Sequence, residues 1–173
     1  MKKVSFLMLN LILVFSALVS CGEKSKFEDI SYREKGLYFV LPNTMQRGMS
    51  EDYDFYFYGR TIDVMFSALK ITDSFLGKVG LEKGTTAEKY VDTIIERQEL
   101  DKSKLYYKYY EDSNQYNFRY NYAGENGFEM FFYVTVTGNP ENLWYIEMCC
   151  AAEESLDYLP MFENWRKTIG TYS

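Results

Sequence analysis

The sequence predicts an α+β domain: an antiparallel β-sheet of about six to seven strands, flanked by helices and running as a meander through its C-terminal half. Three observations predict it. Strand-like runs alternate with period two, most cleanly where Tyr116, Phe118, Tyr120 and Tyr122 face one way and Asn117, Arg119 and Asn121 the other. Two segments instead repeat apolar residues at helical spacing: Tyr90, Val91, Ile94 and Ile95, and then Leu159, Phe162, Trp165 and Ile169. Between the last four strand-like runs lie only the short polar segments Asp112-Ser113-Asn114, Gly124-Glu125-Asn126 and Gly138-Asn139-Pro140. Turns that short join antiparallel neighbours.

The chain opens on a leader. Met1-Lys2-Lys3 is positive, and Val4 to Ala17 is apolar apart from Ser5, Asn10 and Ser16. Charge, an apolar stretch and a small residue before a cut is the layout of a secretory signal. The stretch is about 17 residues, the lower limit for an uncleaved membrane span, and either outcome places the domain outside the cytoplasm. The segment Leu18-Val19-Ser20-Cys21-Gly22 resembles the bacterial lipobox. That resemblance implies that Leu18, Val19 and Ser20 are signal-peptidase recognition positions and that Cys21 is acylated and becomes the N-terminus. Several acyl chains would make the attachment stable, where one would hold only reversibly. Gly22 to Asp29 then reads as a tether, reaching at most about 28 Å. Gly22 leaves sorting to the cell membrane or the outer membrane open. The expected organisation is a leader over 1–20, a lipidated start and tether over 21–29, and one globular domain over 30–173.

Within that domain, Gly36 to Pro42 reads as a short strand stopped by proline. Tyr53 to Tyr58 and Thr61 to Thr72 read as a hairpin, with Tyr53, Phe55 and Phe57 on one face of the first strand and Ile62, Val64, Phe66 and Ala68 on one face of the second. Thr85-Thr86-Ala87-Glu88 matches a capping box that opens a helix ending near Leu100. Leu105 to Glu111, Tyr116 to Ala123, Gly127 to Thr137 and Leu143 to Ala151 are the meander strands. A helix from about Asp157 to Thr168 closes the chain, with Pro160 tolerable in its first turn.

Composition narrows the function. Aromatic residues make up 18% of the chain, including 17 Tyr, which argues against disorder and for strands. The formal charge is −6, and without Lys2 and Lys3 the mature chain is more acidic still. Phosphate backbones repel such a surface, so nucleic acid is excluded as a partner. There is no histidine, which removes the commonest general base and zinc ligand. Cys149 and Cys150 are adjacent in an apolar run, so on a strand they point to opposite faces and read as small buried hydrophobes.

The opening strand ending at Pro42, the Thr86-Ala87-Glu88-Lys89-Tyr90 helix, the long meander and the apolar C-terminal helix ending near Trp165-Arg166-Lys167-Thr168-Ile169 resemble the PsbP-like superfamily, with its Mog-type and DcrB-type members. The resemblance covers residues 30 to 170. It implies an α/β/α sandwich around an antiparallel sheet and an accessory role in larger assemblies, without enzymatic activity. It brings no catalytic residue with it.

Candidate chemistry is sparse. Glu51-Asp52-Tyr53-Asp54 lacks the glycine and spacing of a calcium loop and reads as a solvated acidic turn. Glu153-Glu154 reads as charge complementing a helix start. No metal site or cofactor is indicated. Tyrosine is the surplus. Leu105-Tyr106-Tyr107-Lys108-Tyr109-Tyr110 places aromatics on both faces of one strand. Tyr107 and Tyr109, extended by Phe131 and Tyr133 on a neighbouring strand, form a candidate binding row if one face is open. The leading expectation is a membrane-anchored, non-enzymatic envelope lipoprotein that serves another envelope protein. The alternatives are a small-ligand or glycan module with an aromatic groove, and a hydrolase using paired carboxylates.

Overall fold

A computed structural model describes residues 28–124 and 127–172. The leader, the lipobox-like residues Leu18 to Ser20 and Cys21 lie outside the described residues, as do Glu125 and Asn126 of one turn. Among the described residues ten strands form two sheets. The larger has seven antiparallel strands in the order β3-β4-β5-β9-β8-β7-β6: β3 (Met45–Arg47), β4 (Phe55–Gly59), β5 (Val64–Ile71), β6 (Tyr106–Tyr110), β7 (Gln115–Ala123), β8 (Glu129–Asn139) and β9 (Asn142–Ala151). The smaller joins β1 (Asp29–Glu34), β2 (Leu37–Pro42) and β10 (Gly170–Thr171). Among the described residues three helices complete the fold: α1 (Asp73–Lys78), α2 (Ala87–Arg97) and α3 (Ser155–Thr168).

The strands form where the period of two places large apolar residues on alternate positions, and the pairing register then lines those positions up. Across β5, β9 and β8 the pairs Phe66↔Met148↔Tyr133 and Ala68↔Ile146↔Thr135 share one face. The pairs Ser67↔Glu147↔Val134 and Leu69↔Tyr145↔Val136 share the other. The first face packs on the small sheet and α3 through Phe39, Leu41, Phe66, Trp144, Phe162 and Trp165. The second packs under α1 and α2 through Leu76, Tyr90, Val91, Ile95, Phe118 and Val136. Both faces are therefore core, and the layers are helices, a central sheet, and a mixed layer of small sheet and α3. This is the predicted α/β/α arrangement. The strip of small sheet was not expected, because β1 is polar and begins in what reads as tether, and the two-residue β10 is too short to show a period.

Several local readings are corrected. The domain's first strand starts at Asp29, in what reads as tether, and pairs with β2 through a two-residue turn. That turn is Lys35-Gly36, both at positive φ (54° and 91°), the hairpin geometry that glycine accepts without steric cost. The capping box is replaced by a simple cap: Thr86, not Thr85, is the N-cap, and its hydroxyl accepts from the Lys89 amide at 3.3 Å. The residue in the reach-back position is thus a lysine and cannot complete the box. The α1 helix, capped by Thr72, is too short for a periodic signal. Pro160 lies in the second turn of α3, because the helix begins two residues earlier than its pattern indicates. The missing amide leaves the carbonyl of exposed Leu156 to water.

One side chain ties the two sheets together. The Asn142 amide donates to the carbonyls of Gly36 (3.0 Å) and Tyr172 (3.1 Å) and accepts from the Trp144 indole (3.0 Å). It follows the tight β8–β9 turn, where Gly138 has φ 109° and a Cβ would meet the Asn142 carbonyl oxygen at 2.0 Å.

Candidate functional site

On β9 the alternation turns Tyr145, Glu147 and Cys149 toward the α1/α2 layer. Helix α2 crosses β7 and β8 and stops at Arg97 before the sheet does. Its end is a Schellman closure: the Glu99 amide donates to the Glu96 carbonyl and the Leu100 amide to the Ile95 carbonyl, each at 3.0 Å. Glu99 takes the left-handed conformation (φ 55°), and the chain turns away. Beyond that end the sheet is uncovered, and a cleft opens between it and the helix terminus.

The cleft has two adjoining compartments that meet at Gln98. One, of about 350 Å³, is lined by Gln98, Leu100, Tyr120, Tyr122, Phe132 and Glu147. The other, of about 280 Å³, includes Tyr53, Phe75, Tyr90, Ile94 and Tyr145. Tyr120 stacks on Phe132 with centroids 5.0 Å apart. Glu147 is the charged group at the floor. Its carboxylate accepts hydrogen bonds from Tyr145 Oη (2.7 Å) and Tyr53 Oη (3.4 Å). Burial raises the Glu147 pKa, opposed in part by those two phenol bonds. Burial likewise pushes Tyr53 and Cys149 up to about 12, and raises Tyr120 and Tyr145. The phenols and the thiol are accordingly neutral at ordinary pH. Such a set offers hydrogen bonds, ring faces and one carboxylate, and it prepares no nucleophile.

Two of these residues escape the sequence reading for identifiable reasons. Strict alternation groups Tyr53 with Phe55 and Phe57, but β4 starts only at Phe55. Tyr53 precedes it in an irregular turn held by Asp54, which accepts from the Lys70 amide (2.9 Å) and Lys35 Nζ (2.6 Å). Its ring can then reach the opposite face of the sheet. Glu147 had a signal: it is the one charged residue in the apolar run Leu143 to Ala151, and a polar residue in a buried strand is the informative exception.

The row of Tyr107, Tyr109, Phe131 and Tyr133 is corrected. The register Tyr107↔Phe118↔Val134 places Val134, not its neighbours, in line with Tyr107. Phe131 and Tyr133 therefore point to the α3 side, where Tyr133 is fully buried against Phe162. Tyr107 is half-buried and Tyr109 is exposed, stacked on Tyr116 at 4.5 Å. Cys149 and Cys150 are free, buried and on opposite faces of the sheet. Among the described residues, no three Cys, Asp or Glu side chains are placed to hold a metal ion.

No protein-family model matches the sequence, and no curated protein matches it either. Solved structures do. The chain is similar to the cyanobacterial PsbP (CyanoP) of Synechocystis sp. PCC 6803, known in solution, with a TM-score of 0.52, 18% identity, and coverage of 88% of this chain and 98% of that one. It is similar as well to a crystal structure from Bacteroides thetaiotaomicron VPI-5482, with a TM-score of 0.53 and 11% identity over 86% of this chain and 49% of that chain. The fold is PsbP-like.

Proposed function

We propose that the protein is a membrane-anchored, non-enzymatic envelope lipoprotein, held through acyl chains on Cys21, that serves as an accessory or binding protein for another envelope component. The cleft above Glu147 is its recognition site. The observation that carries this reading is the cleft's lining: Tyr120 stacked on Phe132 beside a carboxylate held by the hydroxyls of Tyr53 and Tyr145, which suits contact and hydrogen bonding rather than bond-making. The lipobox-like leader supports the anchor, and the PsbP-like fold is consistent with an accessory role. The cleft also favours the second reading, a small-ligand or glycan module, because stacked aromatic rings beside hydrogen-bonding groups are what such ligands use.

Two measurements test this. In cells fed a labelled fatty acid, the full-length protein should carry label and fractionate with membranes, while Cys21→Ala should lose the label and be released. Retention of label by that variant would refute the anchor. A photo-crosslinking residue placed at Gln98, at the cleft mouth, should give a discrete envelope adduct. The same residue at Tyr38, exposed on the small sheet, should not. Equal adducts from both positions would refute the cleft as the recognition site.

A further inference from the structure

Glu147 differs from the other inward-facing carboxylates in what surrounds it. Every ion pair among the described residues uses a different acid: Asp54, Glu34, Asp73, Asp92, Asp101 or Glu163. Glu147 has only phenol donors, from Tyr145 and Tyr53. A carboxylate removed from water without a cation is costly, so such groups are partnered or neutralised. The two phenols occupy only part of its capacity, since an ionised carboxylate accepts about four hydrogen bonds.

The walls point the same way. Ring faces carry negative potential and attract cations, and Tyr120, Tyr122 and Phe132 line the compartment around this acid, while Tyr145 and Tyr53 reach it through their hydroxyls. Leu100 and Phe132 add apolar surface beside it in the same compartment, which suits an alkyl stem behind a charged head. The chain's net charge of −6 draws cations toward the surface. At about 350 Å³ the compartment falls in the small-ligand range. Building on the cleft as recognition site, we infer that it binds a primary alkylammonium group, such as a diamine or a lysine side chain, with Glu147 as counter-ion and hydrogen-bond acceptor, Tyr120, Tyr122 and Phe132 as its aromatic walls, and the hydroxyls of Tyr53 and Tyr145 holding the carboxylate.

The test is calorimetric titration of the full-length acylated chain in detergent micelles. Cadaverine is the probe. Pentanediol supplies the same length without charge, tetramethylammonium the charge without N–H donors, and methyl glucoside the sugar alternative. Cadaverine should bind saturably and more tightly than all three. Glu147→Gln keeps the shape and an acceptor for the phenols, and should weaken cadaverine roughly tenfold or more, as expected for losing a charge-assisted hydrogen bond. Gln98→Arg is an independent variant at an exposed position. It places a cation at the mouth and should weaken binding without altering the fold. Equal binding of cadaverine and pentanediol, equal binding of tetramethylammonium, or an unchanged Glu147→Gln variant would each overturn the inference. Binding of methyl glucoside alone, sensitive to Gln98→Arg, would overturn it and leave the recognition site standing. Indifferent crosslinking at Gln98 and Tyr38 would instead count against the site itself.

Discussion

The two faces of the large sheet each draw a glutamate out of bulk water, and each resolves the cost differently. On the α3 side, Glu163 is clasped by two arginines, Arg119 and Arg166, with the latter pair at 3.3 Å. Those guanidinium groups are themselves engaged. Arg166 donates to buried Gln115 (2.8 Å) and lies 3.6 Å above the Tyr110 ring, while Arg119 lies 3.7 Å above Tyr106. On the α2 side, Glu147 is met by phenols alone. The first arrangement is closed, with the glutamate's charge matched within the chain. The second is open, with a carboxylate whose matching charge must be a proton or something from outside. The comparison separates a charge kept for structure from one available for recognition.

The closed network should be the harder to disturb without unfolding. Arg166→Ala removes a residue that is only 5% exposed, together with its bonds to Gln115 and Glu163. Breaking a buried pair from one side costs roughly 3–5 kcal/mol. Urea unfolding should show that loss as a lowered midpoint, and a change under about 1 kcal/mol would mean the network is not structural. Asn142→Ala, which orphans two carbonyls and an indole N–H at the junction of the sheets, should follow at about 2–3 kcal/mol.

The open site should behave in the opposite sense. The folded-state pKa of Glu147 is raised, so between its unfolded and folded pKa values the native state binds the extra proton. Stability therefore falls as pH rises through that window, and the penalty is fully present above the folded pKa. Glu147→Gln should abolish this slope and leave the protein at least as stable as the native sequence at pH 7. Melting curves of both proteins across the acid range would read it directly. A variant clearly less stable at neutral pH would make Glu147 a structural acid and dissolve the contrast.

How much of this was legible beforehand depended on whether a feature had a period. The meander was legible because Tyr116 to Tyr122 alternates strictly, and α2 because Tyr90, Val91 and Ile95 recur at helical spacing. Elements of two to six residues, β3, β10 and α1, were not, since nothing repeats within them. The site was hidden by two long-range facts. Register decides that Tyr107 lines up with Val134 rather than Tyr133, and the irregular turn before β4 releases Tyr53 from its apparent face. Glu147 was visible as an interruption of an apolar strand, but its partners lie 2, 27 and 94 residues away along the chain at Tyr145, Tyr120 and Tyr53.

The ends of the two long helices repeat the contrast on a smaller scale. At the end of α3 a buried side chain satisfies the last carbonyls: Gln115 donates to Arg166 and Ile169 at 3.3 and 2.9 Å, and Ile169 stays in the extended region (φ −75°). At the end of α2, beside the cleft, the closure instead depends on a glutamate in the left-handed region, where a Cβ costs roughly 1–2 kcal/mol relative to glycine. The same motif ordinarily uses glycine. Glu99→Gly should therefore stabilise the protein, by about 0.5–1 kcal/mol once the extra freedom of glycine in the unfolded chain is set against the relieved strain. Thermal melting would register it as a higher midpoint. A lower one would show that the Glu99 side chain contributes more to closing α2 than its backbone strain removes, and the end of α2 would then be as firmly held as that of α3.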